Sequence, residues 1–224
     1  MDEFTQGGFR KMLGKPYLVY DIETSLIPDD QNLKNVEYYI GYSMEEDNEG
    51  KMHYQCIMKA DLPAFVDKML QFDGYIVGFN QLYFDNPVCI YNINGTEEQI
   101  KTLNDKSLDL YLFVQQMTGK RMGLNKISEA LIGVSKNLEG GGASVESLWN
   151  EWKATQDDKV LKKIQAYCKN DVRMTALLFF YFLHFKKLYI EGEEYLYDIA
   201  TFLQYAQVME KKMDTASLRN QALL

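Results

Sequence analysis

The sequence predicts an α/β layered domain. Short, β-prone apolar runs fill the first half of the chain. Helical periodicity dominates the second half, and strands alternate with helices before the long helices begin. Residues 1–15 carry glycines and read as an irregular N-terminal arm. Residues 17–20 (YLVY) form a continuous apolar run that fits a strand buried on both faces. Residues 36–43 and 52–58 read as two more strands, joined through the polar 45–50 stretch. A helix starts at Asp61, a candidate N-cap, with Pro63 in its first turn and Phe65, Val66, Met69 and Leu70 at helical spacing. Residues 74–78 (GYIVG) form another short buried strand, and residues 80–85 turn into a helix through Pro87, Val88 and Ile90. Residues 108–110 fit a strand end, and 124–132 a helix stopped by Gly133. Residues 139–143 read as a glycine-rich mobile loop, then helices are expected over 145–153, 158 to about 189, and 195–213. The last of these carries Leu196, Ile199, Phe202, Leu203, Ala206 and Met213 on one stripe, which either packs on the domain or presents a partner or dimer surface.

Composition narrows the function classes. The chain has 224 residues, 46% hydrophobic and 25% charged, which suits one globular domain with an appendage and excludes disordered or collagen-like readings. The longest clean apolar run, 176–183, is far short of the roughly 18–20 residues of a membrane helix. The first residues show no apolar stretch, so no signal peptide is expected. Cys56, Cys89 and Cys168 form neither a disulfide framework nor a C-x-x-C zinc pair, so we expect reduced thiols and a cytoplasmic location. The net charge of −8 argues against a tight, passive binder of duplex backbone. It leaves room for an enzyme that holds a strand end through metal ions, because bound cations invert the local charge.

Three acidic clusters stand out. Asp21 and Glu23 follow the first buried strand and, two apart, project to one side of it. Such a pair at a strand end is often merely solvated. Asp85 closes the segment Asn80, Gln81, Leu82, Tyr83, Phe84, Asp85, where a helix-capping role is the simple alternative. Tyr167 and Asp171, four apart on a helix, share a face. If the four carboxylates Asp21, Glu23, Asp85 and Asp171 gather, burying them demands compensation. Hard divalent cations with oxygen ligands supply it; Mg²⁺ or Mn²⁺ suits a carboxylate set, whereas zinc favours His or Cys.

The order D-I-E-T, N-x-x-x-F-D and Y-x-x-x-D resembles the three exonuclease motifs of the DnaQ-like (DEDD) 3′–5′ exonucleases, at Asp21/Glu23, Asn80/Phe84/Asp85 and Tyr167/Asp171. The tyrosine of the third motif resembles the DEDDy branch, which includes the proofreading domains of family B DNA polymerases. The likeness covers about residues 17–189. It implies an RNase H-like fold, a mixed five-stranded sheet with helices on both faces, the first strand central and the second antiparallel to it, here followed by a C-terminal helix. The implied division is an arm at 1–15, a nuclease domain at 16–190 and a helical extension at 191–224.

The resemblance further implies two ions, Mg²⁺ or Mn²⁺. Asp21, Glu23 and Asp171 would hold the first, Asp21 also the second, and Asp85 would reach metal through water. Tyr167 would orient the attacking water, because a phenol with an ordinary pKa of about 10 is a poor base at neutral pH. Ile22, Thr24, Asn80 and Phe84 would contact a substrate with a free 3′ end, single-stranded DNA more readily than RNA, releasing nucleoside 5′-monophosphates. The basic residues Lys120, Arg121, Lys126 and Lys136 either contact the strand backbone or form a solvated face. Two other readings stand beside this one: a nucleic-acid-binding or adaptor module working through a partner, and a proofreading subunit working in trans. None of the motif residues is missing, which favours activity.

Overall fold

The structure, a computed structural model, describes residues 8–28, 30–136 and 141–207. Its centre is a five-stranded mixed sheet in the order β3-β2-β1-β4-β5. The strands are β1 (Tyr17–Thr24), β2 (Tyr38–Glu46), β3 (Met52–Met58), β4 (Tyr75–Gly78) and β5 (Ser107–Asp109). β1 pairs antiparallel with β2 and parallel with β4, and β4 pairs parallel with β5. The expected topology, with a central first strand and an antiparallel second, is present.

The alternation of side chains along β1 explains why its apolar run has no polar face. Tyr17 and Val19 point into one core, Leu18, Tyr20 and Ile22 into the other. The first core is closed by α1 (Gly8–Leu13), α5 (Leu110–Thr118), α6 (Leu124–Ile132), α8 (Asp158–Phe185) and α9 (Ile199–Ala206). The second lies under α2 (Leu62–Gln71), α3 (Asp85–Asn92) and α4 (Glu97–Asp105). A third cluster places Trp149 of α7 (Gly141–Thr155) flat on Tyr39 of β2, at 4.6 Å between ring centroids. Helices therefore cover both faces of the sheet.

Several elements differ from the sequence reading. Residues 8–13 of the supposed irregular arm are helix α1, tied down because Phe9 stacks on Phe180 at 4.4 Å. α4 and α5 were not foreseen; a reciprocal cap between Thr96 and Gln99 starts α4, and the Asp109 carboxylate caps α5. α7 begins at Gly141, inside the expected loop, while residues 137–140 lie outside the described residues. α8 ends at Phe185, four residues early, because Lys186 adopts a left-handed backbone (φ 53°). A hairpin follows, β6 (Lys187–Ile190) and β7 (Glu193–Leu196), turning on Gly192 at φ 87°.

The expected tail helix is correspondingly shorter. Asp198 caps α9 through the Thr201 amide at 2.7 Å, and residues 208–224, Met213 included, lie outside the described residues. Leu196 sits on β7 and is exposed, whereas Phe202 and Ala206 are fully buried, Phe202 against Phe113 at 4.8 Å. The stripe is thus split. Its Phe202 and Ala206 face is consumed within the chain, which corrects the partner-surface alternative for those residues. No helix among the described residues is long and apolar enough to cross a membrane.

Candidate active site

The acids lie where three elements meet at one end of β1. Asp21 and Glu23 belong to β1 itself, Asp85 is the first residue of α3, and Asp171 lies midway along α8. Glu23, Asp85 and Asp171 are all buried. α3 is held against the sheet by Asn86, which accepts from the Tyr20 hydroxyl and donates to Asn104 (2.7 Å) and Ser107 (3.1 Å). That clamp seats Asp85, and the backbone N–H of Ile22 donates to its carboxylate.

Burying like charges together has a measurable cost. Burial, then Asp85, Asp171 and Glu23, push the Asp21 carboxyl well above the ordinary carboxylate range, against the pull of Lys136. Glu23 is pushed up likewise, by burial and then Asp171. Asp85 is pushed up to about 7, by burial and then by Asp109. Asp171 is raised by burial, opposed by Lys136 and by the Tyr167 hydroxyl. These mutual terms require the four acids to share one small volume.

Lys136 is the site residue that sequence reasoning placed wrongly. Read there as part of a basic strip for the strand backbone or a solvated face, it reaches inward. Its Nζ lies 2.5 Å from Asp171 Oδ2 and donates to the Tyr167 hydroxyl at 3.0 Å. Burial opposes the ammonium charge, yet Asp171 and Tyr167 outweigh it and raise its pKa. The Tyr167 hydroxyl is itself pushed up to about 12, chiefly by burial and then by Asp171. Cys168 was likewise not singled out; its Sγ sits 3.6 Å from the Asp21 carbonyl oxygen, and its sulfur and the carboxylates of Asp21 and Glu23 lie within 4.8 Å of one another. No spacing rule marks either residue, because only the fold brings them to the motif.

The remaining candidates divide. Asn80 stands in a left-handed conformation (φ 65°), donates its backbone N–H to Asp109 (2.9 Å) and keeps a buried side-chain oxygen with no partner. It lines a cleft of about 500 Å³ that also reaches Asp21, Lys136 and Asp171. Ile22 is buried in the α2–α4 core, and Phe84 packs against that core rather than lining the cleft. Thr24 ends β1 with its hydroxyl donating to the Ser25 carbonyl at 2.8 Å.

The donor set fits hard divalent cations. It is almost wholly carboxylate, the four acids raise one another's pKa, and Asp171 Oδ1 is buried with no hydrogen-bond partner. A positive charge already stands there in Lys136.

A buried carboxylate cluster at the end of the central strand of a mixed sheet defines the class of RNase H-like proteins. Residues 18–182 match the RNase H superfamily, and the chain belongs to that family. The fold is similar to that of a family B DNA polymerase from the archaeon Pyrobaculum calidifontis, at 20% identity and a TM-score of 0.56, over 75% of this chain and 24% of the polymerase. A fainter likeness is to E. coli exonuclease I in complex with a dT13 oligonucleotide, at 12% identity and a TM-score of 0.43, over 76% of this chain and 41% of that one. The chain thus spans about a quarter of the polymerase and under half of the exonuclease. No curated protein matches it significantly in sequence.

Proposed function

We propose that this chain is a metal-dependent 3′–5′ exonuclease of the DEDDy type, acting on single-stranded DNA ends in preference to RNA. The observation that carries this reading is the convergence of four mutually destabilising carboxylates from β1, α3 and α8. A fold does not keep such a cluster for stability; a cation makes sense of it. Asp21, Glu23 and Asp171 would hold one Mg²⁺ or Mn²⁺, Asp21 a second, with Asp85 acting through water. Two ions so placed supply an activated water and neutralise the leaving 3′ oxygen.

The chain's own residues do the rest. With its hydroxyl pushed up to about 12, Tyr167 keeps its proton at neutral pH and serves as a hydrogen-bonding partner that orients the attacking water, not as a base. Ile22, Thr24, Asn80 and Phe84 seat the terminal nucleotide, and the products are nucleoside 5′-monophosphates. Residues 16–190 make up the nuclease unit, to which 191–224 is an extension.

The test is digestion of 3′-labelled oligonucleotides, DNA and RNA, with and without chelator. Wild type degrades the free 3′ end only with divalent ion. Asp21→Ala, which loses several kcal/mol of charge stabilisation, falls on the order of a thousandfold. Activity that survives this substitution, or cutting of a closed circle, sinks the reading.

A further inference from the structure

The cleft next to the carboxylates has a second polar end. Tyr111, in the first turn of α5, is 6% exposed, lines the cleft, and its hydroxyl has no hydrogen-bond partner. A buried phenol oxygen left unpaired costs free energy unless a ligand completes it. Its position is built, not accidental. Asp109 Oδ1 accepts from the Tyr111 amide at 3.0 Å and from the Asn80 amide at 2.9 Å, so one carboxylate fixes both residues on the same wall. The ring of Phe79 meets that of Tyr111 edge-on at 5.8 Å.

Arg121, in the loop between α5 and α6, also lines this end. Its neighbours in the basic strip are engaged. Lys120 pairs with Glu191 (3.0 Å) and Glu193 (3.7 Å), Lys126 with Glu191 (2.9 Å), and Lys136 with Asp171. Among the described residues Arg121 has no such pairing, and its charge bears on the Tyr111 hydroxyl. An uncommitted guanidinium beside an uncommitted phenol is a donor pair for a phosphate oxygen.

We infer that this cleft is a subsite for the nucleotide on the 5′ side of the scissile phosphate, with Arg121 and Tyr111 holding the next phosphodiester of the strand. The inference rests on the nuclease reading for its direction: Ile22 and Phe84 lie on the α2–α4 side, leaving the cleft for the rest of the strand. About 500 Å³ suits one nucleotide. Phe79, Met122 and Leu124 supply apolar walls without base-specific contacts, so the subsite grips any sequence by its backbone.

The experiment pairs protein variants with a 3′-labelled oligonucleotide carrying one uncharged methylphosphonate at the phosphodiester 5′ of the scissile bond. Loss of a charge-assisted hydrogen bond corresponds to about tenfold to a hundredfold. Wild type should lose that factor on the modified strand, in KM rather than kcat. Arg121→Ala should lose it on the ordinary strand and lose nothing more on the modified one, with Arg121→Lys recovering part. Tyr111→Phe should weaken binding without lowering the melting temperature. Equal digestion by Arg121→Ala and wild type, or losses that multiply, overturns the subsite. Fluorescence anisotropy of the same oligonucleotides in chelator separates the two ideas. Arg121-dependent binding with no hydrolysis under any metal retains the subsite and rejects the nuclease; metal-dependent hydrolysis indifferent to Arg121 does the reverse.

Discussion

Asp171 shows how one side chain can belong to two networks. One oxygen is held by Lys136, and the other is buried without a partner. Tyr167, one helical turn earlier on the same face, shares Lys136 with it. The Y-x-x-x-D spacing foretold that pairing; the lysine came from a loop 31 residues before the tyrosine and was invisible to any spacing argument. We expect Tyr167→Phe to slow hydrolysis about tenfold to a hundredfold, as for loss of an orienting hydrogen bond. Divalent-ion affinity, measured by calorimetry, should stay unchanged. A fall in affinity instead would make Tyr167 part of the metal shell.

Short polar side chains set the geometry of the elements. Gln81 bridges the ends of β4 and β5, donating to the Ile76 carbonyl at 2.9 Å and the Leu108 carbonyl at 3.2 Å. A side chain on Gly78 would collide with it, since a Cβ there would lie 2.2 Å from Gln81 Oε1. Asp109 accepts from four amides, those of Asn80, Leu82, Tyr111 and Leu112, and so joins the 79–82 turn to the start of α5. Asp109→Ala leaves those amides without their acceptor, and denaturant unfolding should show a loss of about 3 kcal/mol. KM should rise as well, because Asn80 and Tyr111 lose their common anchor. An unchanged midpoint would show that water replaces the carboxylate fully.

Across the whole molecule the carboxylate cluster couples metal, pH and stability. Asp85 is pushed up to about 7 and Asp109 to about 6, both chiefly by burial, from an ordinary value of 3.8. A carboxyl whose pKa is higher in the folded than in the unfolded chain keeps its proton longer when folded, so folding is favoured below the ordinary value and loses that favour as pH rises through the folded one. Without divalent ions, the melting temperature should therefore fall between about pH 4 and pH 7. Adding Mg²⁺ or Mn²⁺ should raise it most at the upper end, where the acids are ionised. Asp21→Asn should raise the metal-free melting temperature at pH 7.5 and abolish the stabilisation by metal. A melting temperature that rises with pH in chelator would contradict the crowded-acid account.

How much was legible before any coordinates follows from the range of the forces involved. The strands β1 to β5, the helix starting near Asp61, the helix ended by Gly133 and the four motif acids were readable, because periodicity, caps and turn chemistry act within a few residues. The β6–β7 hairpin and the short α9 were not, since the apolar stretch around Phe202 suits a longer helix until Phe113 and Phe182 offer it a place in the core. Lys136, Cys168 and the Tyr111–Arg121 end of the cleft were equally hidden. Their meaning depends on which carboxylate or cavity stands opposite, and that is decided only when segments distant along the chain are packed together and water is excluded between them.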